Sequence, residues 1–337
     1  MSPGIKGGNF LSVNIVLDKA TDNEAKMDPK VIYDVLIIGG GPAGLNAALY
    51  SKRKGAEVGI LAKGLGGQII DTSYVENYLG FEHLTGMELA DKFEEHVRKL
   101  NIPLSEFSTV ESVELSKDKS IKEIKLSDGS SYKTRALIIA TGSKPRKLNV
   151  PGEVEFSGKG VAYCAICDGP FFAEQDVIVA GGGNSAVEAA LDLAKIANKV
   201  TIVHRSIFRA DKILVDQLMK LDNVDVKLNT QIQEIFGDGM MDGIKVLDKS
   251  SDQEYSIFAS GIFVEIGYLP NSEVFKDTVK LNKKGEILVD KYGKTDTEGI
   301  FAAGDVTDVP YKQIIISAAD GAKCALSANE YLNKIKK

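Results

Sequence analysis

Tryptophan is absent, and cysteine is nearly so: the 337 residues hold only Cys164, Cys167 and Cys324. Three thiols cannot build a structural disulfide framework, and a lone C-x-x-C in a chain that reads as cytoplasmic belongs to redox or metal chemistry. A zinc knuckle needs four ligands, normally a second cysteine pair, and neither Cys324 nor His83 nor His96 offers that spacing, so no metal is expected. No apolar run reaches the roughly 18 residues that span a bilayer. The stretch 10–17 is broken by Ser12 and Asn14 and lacks a basic flank and a cleavage site, which argues against a secretory signal. Clustered Lys and Arg are also missing. With a net charge of −6 and a pI near 5.4, neither nucleic acid nor an anionic membrane is expected as a partner.

Glycine is plentiful, at 33 residues, as suits an α/β protein with many tight strand-to-helix turns. The length suits two domains of about 100–200 residues. Residues 1–29 carry no sustained period and read as an extension. An apolar strand then begins at Val31, runs into GGGPAG (39–44), and is followed by a helical pattern and a second strand at 57–61. The same order recurs: DVIVA (176–180), GGGNSA (181–186), a helical stretch, and a strand at 199–203. Gly39 to Ala62 and Gly181 to His204 are both 23 residues, each read as ending at a strand end. Two such βαβ units imply two bound dinucleotides. Short alternating strands follow each unit, and residues 143–160 and 267–271 are the expected crossings between domains.

In the first unit, Gly39 permits the tight turn, Gly41 lets a pyrophosphate approach the backbone, and Gly44 lets the helix pack closely on the strand. The helix N-terminus then faces the phosphates. Ala62 stands where an acid would bond the ribose. In the second unit, Gly181, Gly183, Ser185 and Ala186 repeat the pattern. The following strand ends in His204-Arg205, with Arg209 close behind, where guanidinium groups suit a 2′-phosphate and an acid would repel it. Cys164 and Cys167 lie just before this unit, spaced to close a small disulfide. Asp168 supplies a carboxyl beside them that can move a proton to or from a thiolate. Cys324, within a helical stretch at 317–332, reads as a small buried apolar residue.

VAYCAICDGPFF, ATGSKPR with VPGE, GGQI, VENYLGF, GGGNSAVEAA, IGYLPN, and IFAAGDVTD followed by AADGA together resemble the low-molecular-weight thioredoxin reductases from about residue 31 to the end. The resemblance implies an α/β fold of two Rossmann-like dinucleotide-binding domains in three ββα layers. The FAD domain (30–146 and 270–337) would be interrupted by an NAD(P)H domain (149–267) carrying the C-x-x-C. It implies that Cys167 lies against the flavin, Cys164 attacks a protein disulfide, and Asp168 is the acid/base. FAD would be held by Gly39, Gly41, Pro42, Ala43, Gly44, Gln68, Asn77, Thr141, Gly142, Gly304, Asp305, Gln313 and Ile314. NADPH would be held by Gly181, Gly183, Asn184, Ser185, Ala186, Arg205 and Arg209. Asp305 can accept a ribityl hydroxyl, and the helix after Gln313 can turn its positive end toward the flavin pyrimidine edge. The implied partner is thioredoxin or a similar small dithiol protein, and the family's habit is a homodimer.

One departure concerns the nicotinamide cofactor. The family usually writes His-Arg-Arg plus a downstream Arg, whereas 204–209 is one residue shorter with one Arg fewer, which leaves NADPH against NADH open. Two other readings keep the fold: a ferredoxin or flavodoxin donor or another dithiol acceptor, and a non-enzymatic flavin redox sensor.

Overall fold

The computed structural model describes residues 25–72 and 75–335, so most of the expected extension at 1–29 lies outside the described residues. Its last part is packed: Met27 lies on Gly59 and Tyr33. The chain then forms β1 (Ile32–Gly40), α1 (Pro42–Arg53), β2 (Val58–Leu65), α2 (Gly86–Arg98), β3 (Leu104–Ser105), β4 (Val110–Leu115), β5 (Lys122–Leu126) and β6 (Ser131–Ile139). After β7 (Ser143–Pro145) and β8 (Val161–Ala162) come α3 (Ala165–Asp168), β9 (Asp176–Ala180), α4 (Asn184–Leu193), β10 (Lys199–Val203) and α5 (Lys212–Leu218). Next are β11 (Val224–Lys227), β12 (Thr230–Asp238), β13 (Met240–Asp248), β14 (Gln253–Phe258) and β15 (Gly261–Val264). The last elements are β16 (Tyr268–Pro270), β17 (Ile300–Ala302) and α6 (Ile314–Ile335).

The first sheet runs β3-β2-β1-β6 in parallel, with β17 also parallel on β6, and continues through β5 and β4 as an antiparallel meander. Strand β1 is buried on both faces, and its period of two divides its side chains between two cores. Val35 and Ile37 pack toward Ala47 and Ala48 of α1 and Ala325 and Ala328 of α6. Leu36 and Ile38 pack toward Ile124 and Leu126 of the meander and toward Phe275 and Ile287. Helices therefore cover one face and β-structure the other, the three-layer ββα arrangement.

The second unit repeats the plan. Its parallel sheet is ordered β11-β10-β9-β15-β8, with α4 and α5 on the Val177/Val179 face. The β12–β14 meander covers the Ile178/Ala180 face. The chain passes between the two sheets twice, and the passing strands pair antiparallel, Tyr268 opposite Pro145 and Leu269 opposite Lys144. The two crossings expected at 143–160 and 267–271 thus meet in one ribbon.

The repeat is less regular than its 23-residue spacing suggests. Strand β2 continues to Leu65, with an irregularity opposite Ile38 and Gly40, so Ala62 is buried inside the strand and does not stand at its end. The Ala62 side chain lies against the glycine turn, 3.0 Å from where a Cβ on Gly40 would be.

Candidate active site

The redox turn is set between the parallel strand β8 and the dinucleotide strand β9. Cys164 and Cys167 are joined by a disulfide, their Cα atoms 5.3 Å apart, and Cys164 caps the short helix α3: the Cys167 N–H donates to its Sγ at 3.2 Å. The turn is fixed from behind. Phe172 packs edge-on against Phe263 at 5.3 Å, where a side chain at Gly261 would overlap the Phe172 ring. Asp168 follows Cys167 directly, and burial pushes its carboxyl from the usual 3.8 up to about 6. An acid so poised can give or take a proton near neutral pH.

One group at this site escapes the motif reading. Glu265 follows the apolar strand β15, and burial pushes its carboxyl up to about 7, opposed by the backbone amide of Ala165, the first residue of α3. The only sequence signal was a charged residue interrupting IFVEIG. Tyr268, two residues into the chain crossing, donates its hydroxyl to the Tyr163 carbonyl at 2.7 Å. Its pKa is raised by burial first and then by Glu265, Asp305 and Asp168, which places three acids around one phenol. Cys324 has no part here. It is fully buried, its thiol meets the Ala302 carbonyl at 3.1 Å, and burial pushes it up to about 12.

The first glycine turn does what its spacing requires. Gly39 has φ +124°, and a Cβ there would sit 2.1 Å from the Ala140 carbonyl oxygen. A Cβ at Gly44 would sit 2.0 Å from the Gly39 oxygen, so only glycine lets α1 approach β1 this closely. In front of Gly41 the nearest atom is Gly67 Cα at 3.8 Å. Pro42 occupies the first turn of α1, which carries no acid, so its N-terminal amides face an approach suited to a diphosphate.

Residues distant in sequence converge beside this turn. The Gln68 amide reaches Asp305 Oδ2 at 3.5 Å, and the Ser317 hydroxyl donates to Oδ1 at 3.0 Å. Asn77 donates to Gln313 Oε1 at 3.4 Å. Burial raises the Asp305 carboxyl above its usual range despite Ser317 and Lys312. Gly304 lies against Ala43 and Ser317, and Ile314 opens α6. Thr141 also ties the chain crossing together. The Thr141 side chain donates to the Asn271 carbonyl at 2.8 Å, and Asn271 returns a bond to the Thr141 carbonyl at 2.9 Å, which clasps the chain crossing beside Gly142.

In the second turn a Cβ on Gly181 would meet the Glu265 carbonyl oxygen at 2.3 Å and Ala186 Cβ at 2.7 Å, while the space before Gly183 is open. Ser185 sits in the first turn of α4, whose Asn184 exchanges two bonds with Asp211 at 2.8 and 2.9 Å. The buried His204 ring lies on Gly182, a packing role the sequence did not reveal. Burial, Arg209 and Arg205 all lower its pKa. Both exposed arginines therefore stand near the Gly182 turn, and the Arg209 N–H is bonded to the Gly182 carbonyl at 2.7 Å.

Residues 33–322 match the sequence model of the family described as pyridine nucleotide-disulphide oxidoreductase. The chain is 44% identical over 309 residues to the alkyl hydroperoxide reductase F protein of Pseudomonas putida, covering 91% of this chain and 59% of that protein. It is 45% identical over 301 residues to a Bacillus subtilis protein named NADH dehydrogenase, covering 89% and 58%. The chain thus spans about three fifths of the length of the curated relatives it matches. The crystal structure of thioredoxin reductase from Streptococcus pyogenes superimposes with a TM-score of 0.85 at 38% identity, covering 93% of this chain and all of that one. FAD and NAD(P)H are the cofactors of this group, and the residues present fit both: each glycine turn has an open front, no acid lies in the first turn of α1 or α4, and a half-buried carboxyl stands at Asp305. From β1 to α6, the chain belongs to the pyridine nucleotide-disulphide oxidoreductases and has the fold of the thioredoxin reductases.

Proposed function

We propose that this chain passes electrons from NAD(P)H through FAD and the Cys164–Cys167 pair to thioredoxin or a similar small dithiol protein. One observation carries this reading: the disulfide is followed directly by a half-buried acid, in a turn packed against the second dinucleotide unit. The division we propose is an FAD domain of 30–146 and 270–337 and an NAD(P)H domain of 149–267, with the paired strands β7 and β16 between them. Gly39, Gly41, Gly44, Gln68, Asn77, Asp305 and Gln313 would hold FAD. Gly181, Gly183, Ser185, Arg205 and Arg209 would hold the nicotinamide cofactor.

Bound FAD supplies a two-electron carrier between nicotinamide and disulfide. Two electrons and one proton break the Cys164–Cys167 bond, leaving one thiol and one thiolate. Cys164 as thiolate attacks the partner's disulfide, forming a mixed disulfide and expelling one partner thiolate, which Asp168 protonates. Asp168, now ionised, takes the Cys167 proton, and the Cys167 thiolate attacks the Cys164 sulfur, restoring the internal disulfide and releasing the partner's second thiolate. For Cys167 to meet the flavin and Cys164 to meet a bulky protein, the second unit must turn about the β7/β16 ribbon. A homodimer fits the large apolar side chains left exposed on one face, Tyr50, Tyr292, Ile315 and Leu326.

A second reading takes its support from the relative named for alkyl hydroperoxide reduction: the acceptor would be a dithiol of a peroxide-reducing system. Steady-state turnover with NADPH and NADH, against a thioredoxin and against a peroxidase with its dithiol carrier, separates the two. Thioredoxin reduction supports the first reading. Turnover with the peroxidase system alone replaces it, and failure of both acceptors with a reducible flavin removes the reductase claim.

A further inference from the structure

Tyr163 stands directly before Cys164 and is held at both ends. Its hydroxyl donates to Glu153 Oε1 at 3.1 Å. Glu153 is 1% exposed, and its carboxyl also accepts the Leu148 N–H at 2.8 Å and the Asn149 N–H at 2.7 Å. The segment that carries Glu153 is fixed in turn. The Pro151 carbonyl accepts the Ile235 N–H of β12 at 2.9 Å, and Gly152 lies on the Ile235 carbonyl with no room for a side chain. At the other end, the Tyr163 carbonyl accepts the Tyr268 hydroxyl at 2.7 Å. That carbonyl shares its peptide plane with the Cys164 N–H, so the bond sets the direction in which Cys164 leaves β8. The two anchors belong to the two chain crossings, Glu153 to the outgoing one and Tyr268 to the returning one. We infer that Tyr163 is a positioning residue of the redox pair, whose two anchors hold the turn in its closing geometry whether or not the disulfide is formed.

The inference rests on the redox reading of this pair and adds what keeps its thiols together. Opening the disulfide leaves the sulfurs joined only through the turn, and α3, at four residues, is too short to be stable by itself. The two bonds that shape this turn both end on Cys164. The Cys167 N–H donates to its Sγ at 3.2 Å, and the Asp168 N–H donates to its carbonyl at 3.0 Å. A backbone fixed at Tyr163 therefore keeps the sulfurs within reach after reduction. Freedom already removed from the dithiol does not have to be removed again on ring closure. The anchored pair closes more readily, so it gives up its electrons more strongly. Loosening either anchor moves the equilibrium toward the dithiol. The Tyr163 ring itself packs on the core that includes Val161 and Ile178, so phenylalanine there keeps the packing and loses only the bond.

The purified full chain, Tyr163→Phe and Tyr268→Phe are brought to equilibrium without oxygen in mixtures of reduced and oxidised dithiothreitol, then alkylated and weighed. This readout needs neither nicotinamide nor an acceptor. Tyr33→Phe is the control: it removes a buried hydroxyl in β1 that accepts the Asp28 N–H at 2.9 Å. Tyr163→Phe and Tyr268→Phe should each lie at least about threefold further toward the dithiol, about 15 mV for a two-electron couple, and the control within about twofold of the wild type. A smaller shift in either variant, or a control that shifts with them, overturns the inference. If a variant does not fold, amide exchange in the reduced wild type decides. An Asp168 amide slowed at least about tenfold below an unstructured peptide supports the anchored turn, and faster exchange refutes it. Unshifted equilibria in variants that still turn over with NAD(P)H remove this inference alone. A pair that never opens in these buffers removes the redox reading with it.

Discussion

Replacing Asp168 by asparagine keeps the shape of the side chain and removes its proton, and the structure assigns that proton two separable consequences. The first concerns stability. Burial moves the carboxyl from 3.8 to about 6, so the folded protein holds the neutral acid more tightly than the unfolded chain does. The cost of ionising it in place begins as pH rises past the unfolded value and is complete above the folded one. Roughly two units at about 1.4 kcal/mol each give a ceiling near 3 kcal/mol. Asp168 is only partly enclosed, so about 1–3 kcal/mol is expected. Asp168→Asn should therefore be more stable than the wild type by that amount at pH 8 and equal to it near pH 4. Denaturant melts at both values measure this. The second consequence is kinetic: without a general acid, disulfide turnover should fall by roughly 10²–10⁴-fold. A variant that is more stable at high pH yet nearly dead in turnover is the expected pairing. A loss below tenfold would reduce Asp168 to a structural residue, and a stabilisation equal at both pH values would trace it to contacts instead of charge.

Arg205→Ala should lower kcat/KM for NADPH while leaving NADH nearly unchanged, a loss on the order of 1–3 kcal/mol for one charged phosphate contact; an unchanged cofactor ratio removes Arg205 from the 2′-phosphate site. Cys167→Ser should trap a stable mixed disulfide between Cys164 and the acceptor, visible as a mass adduct, whereas Cys164→Ser should trap none; the reverse pattern exchanges their roles. The purified protein should release one non-covalent FAD per chain on denaturation, and recovery of FMN would contradict the assignment of residues 39–44 and Asp305. An engineered disulfide between the two units should stop full turnover while sparing one half-reaction; undiminished turnover in a fully cross-linked protein would mean that no rotation about β7/β16 is needed.

Local rules made much of this chain legible in advance. The first glycine turn could be read because its spacing is local: the atom that excludes a Cβ at Gly44 is the carbonyl oxygen of Gly39 in the same unit, although at Gly39 it is the Ala140 oxygen just past β6. The strands at 176–180 and 199–203 fall where their apolar runs put them, since parallel strands buried on both faces read as continuous hydrophobic sequence. The same rule misplaced the end of β2. Residues 62–65 (AKGL) lose that apolar run, and pairing with Gly40, outside the local window, carries the strand on to Leu65.

Everything that depends on which distant side chains share a cavity was decided by tertiary structure. Lys122 opens β5. It is fully buried, bonded to the Arg135 carbonyl at 2.8 Å, and burial lowers its ammonium to about 8. Thr141 carries the family's motif, yet its hydroxyl is engaged by Asn271, 130 residues away. The sequence by itself determined the repeated βαβ plan, the redox pair and the acid beside it, because spacing and residue type suffice where the partners are neighbours in the chain. The fold alone decided the pairing of β7 with β16, the convergence of Asp305 with Gln68, and the place of Glu265 beside the redox turn. Burial and electrostatic coupling are properties of distance in space, and no local pattern encodes them.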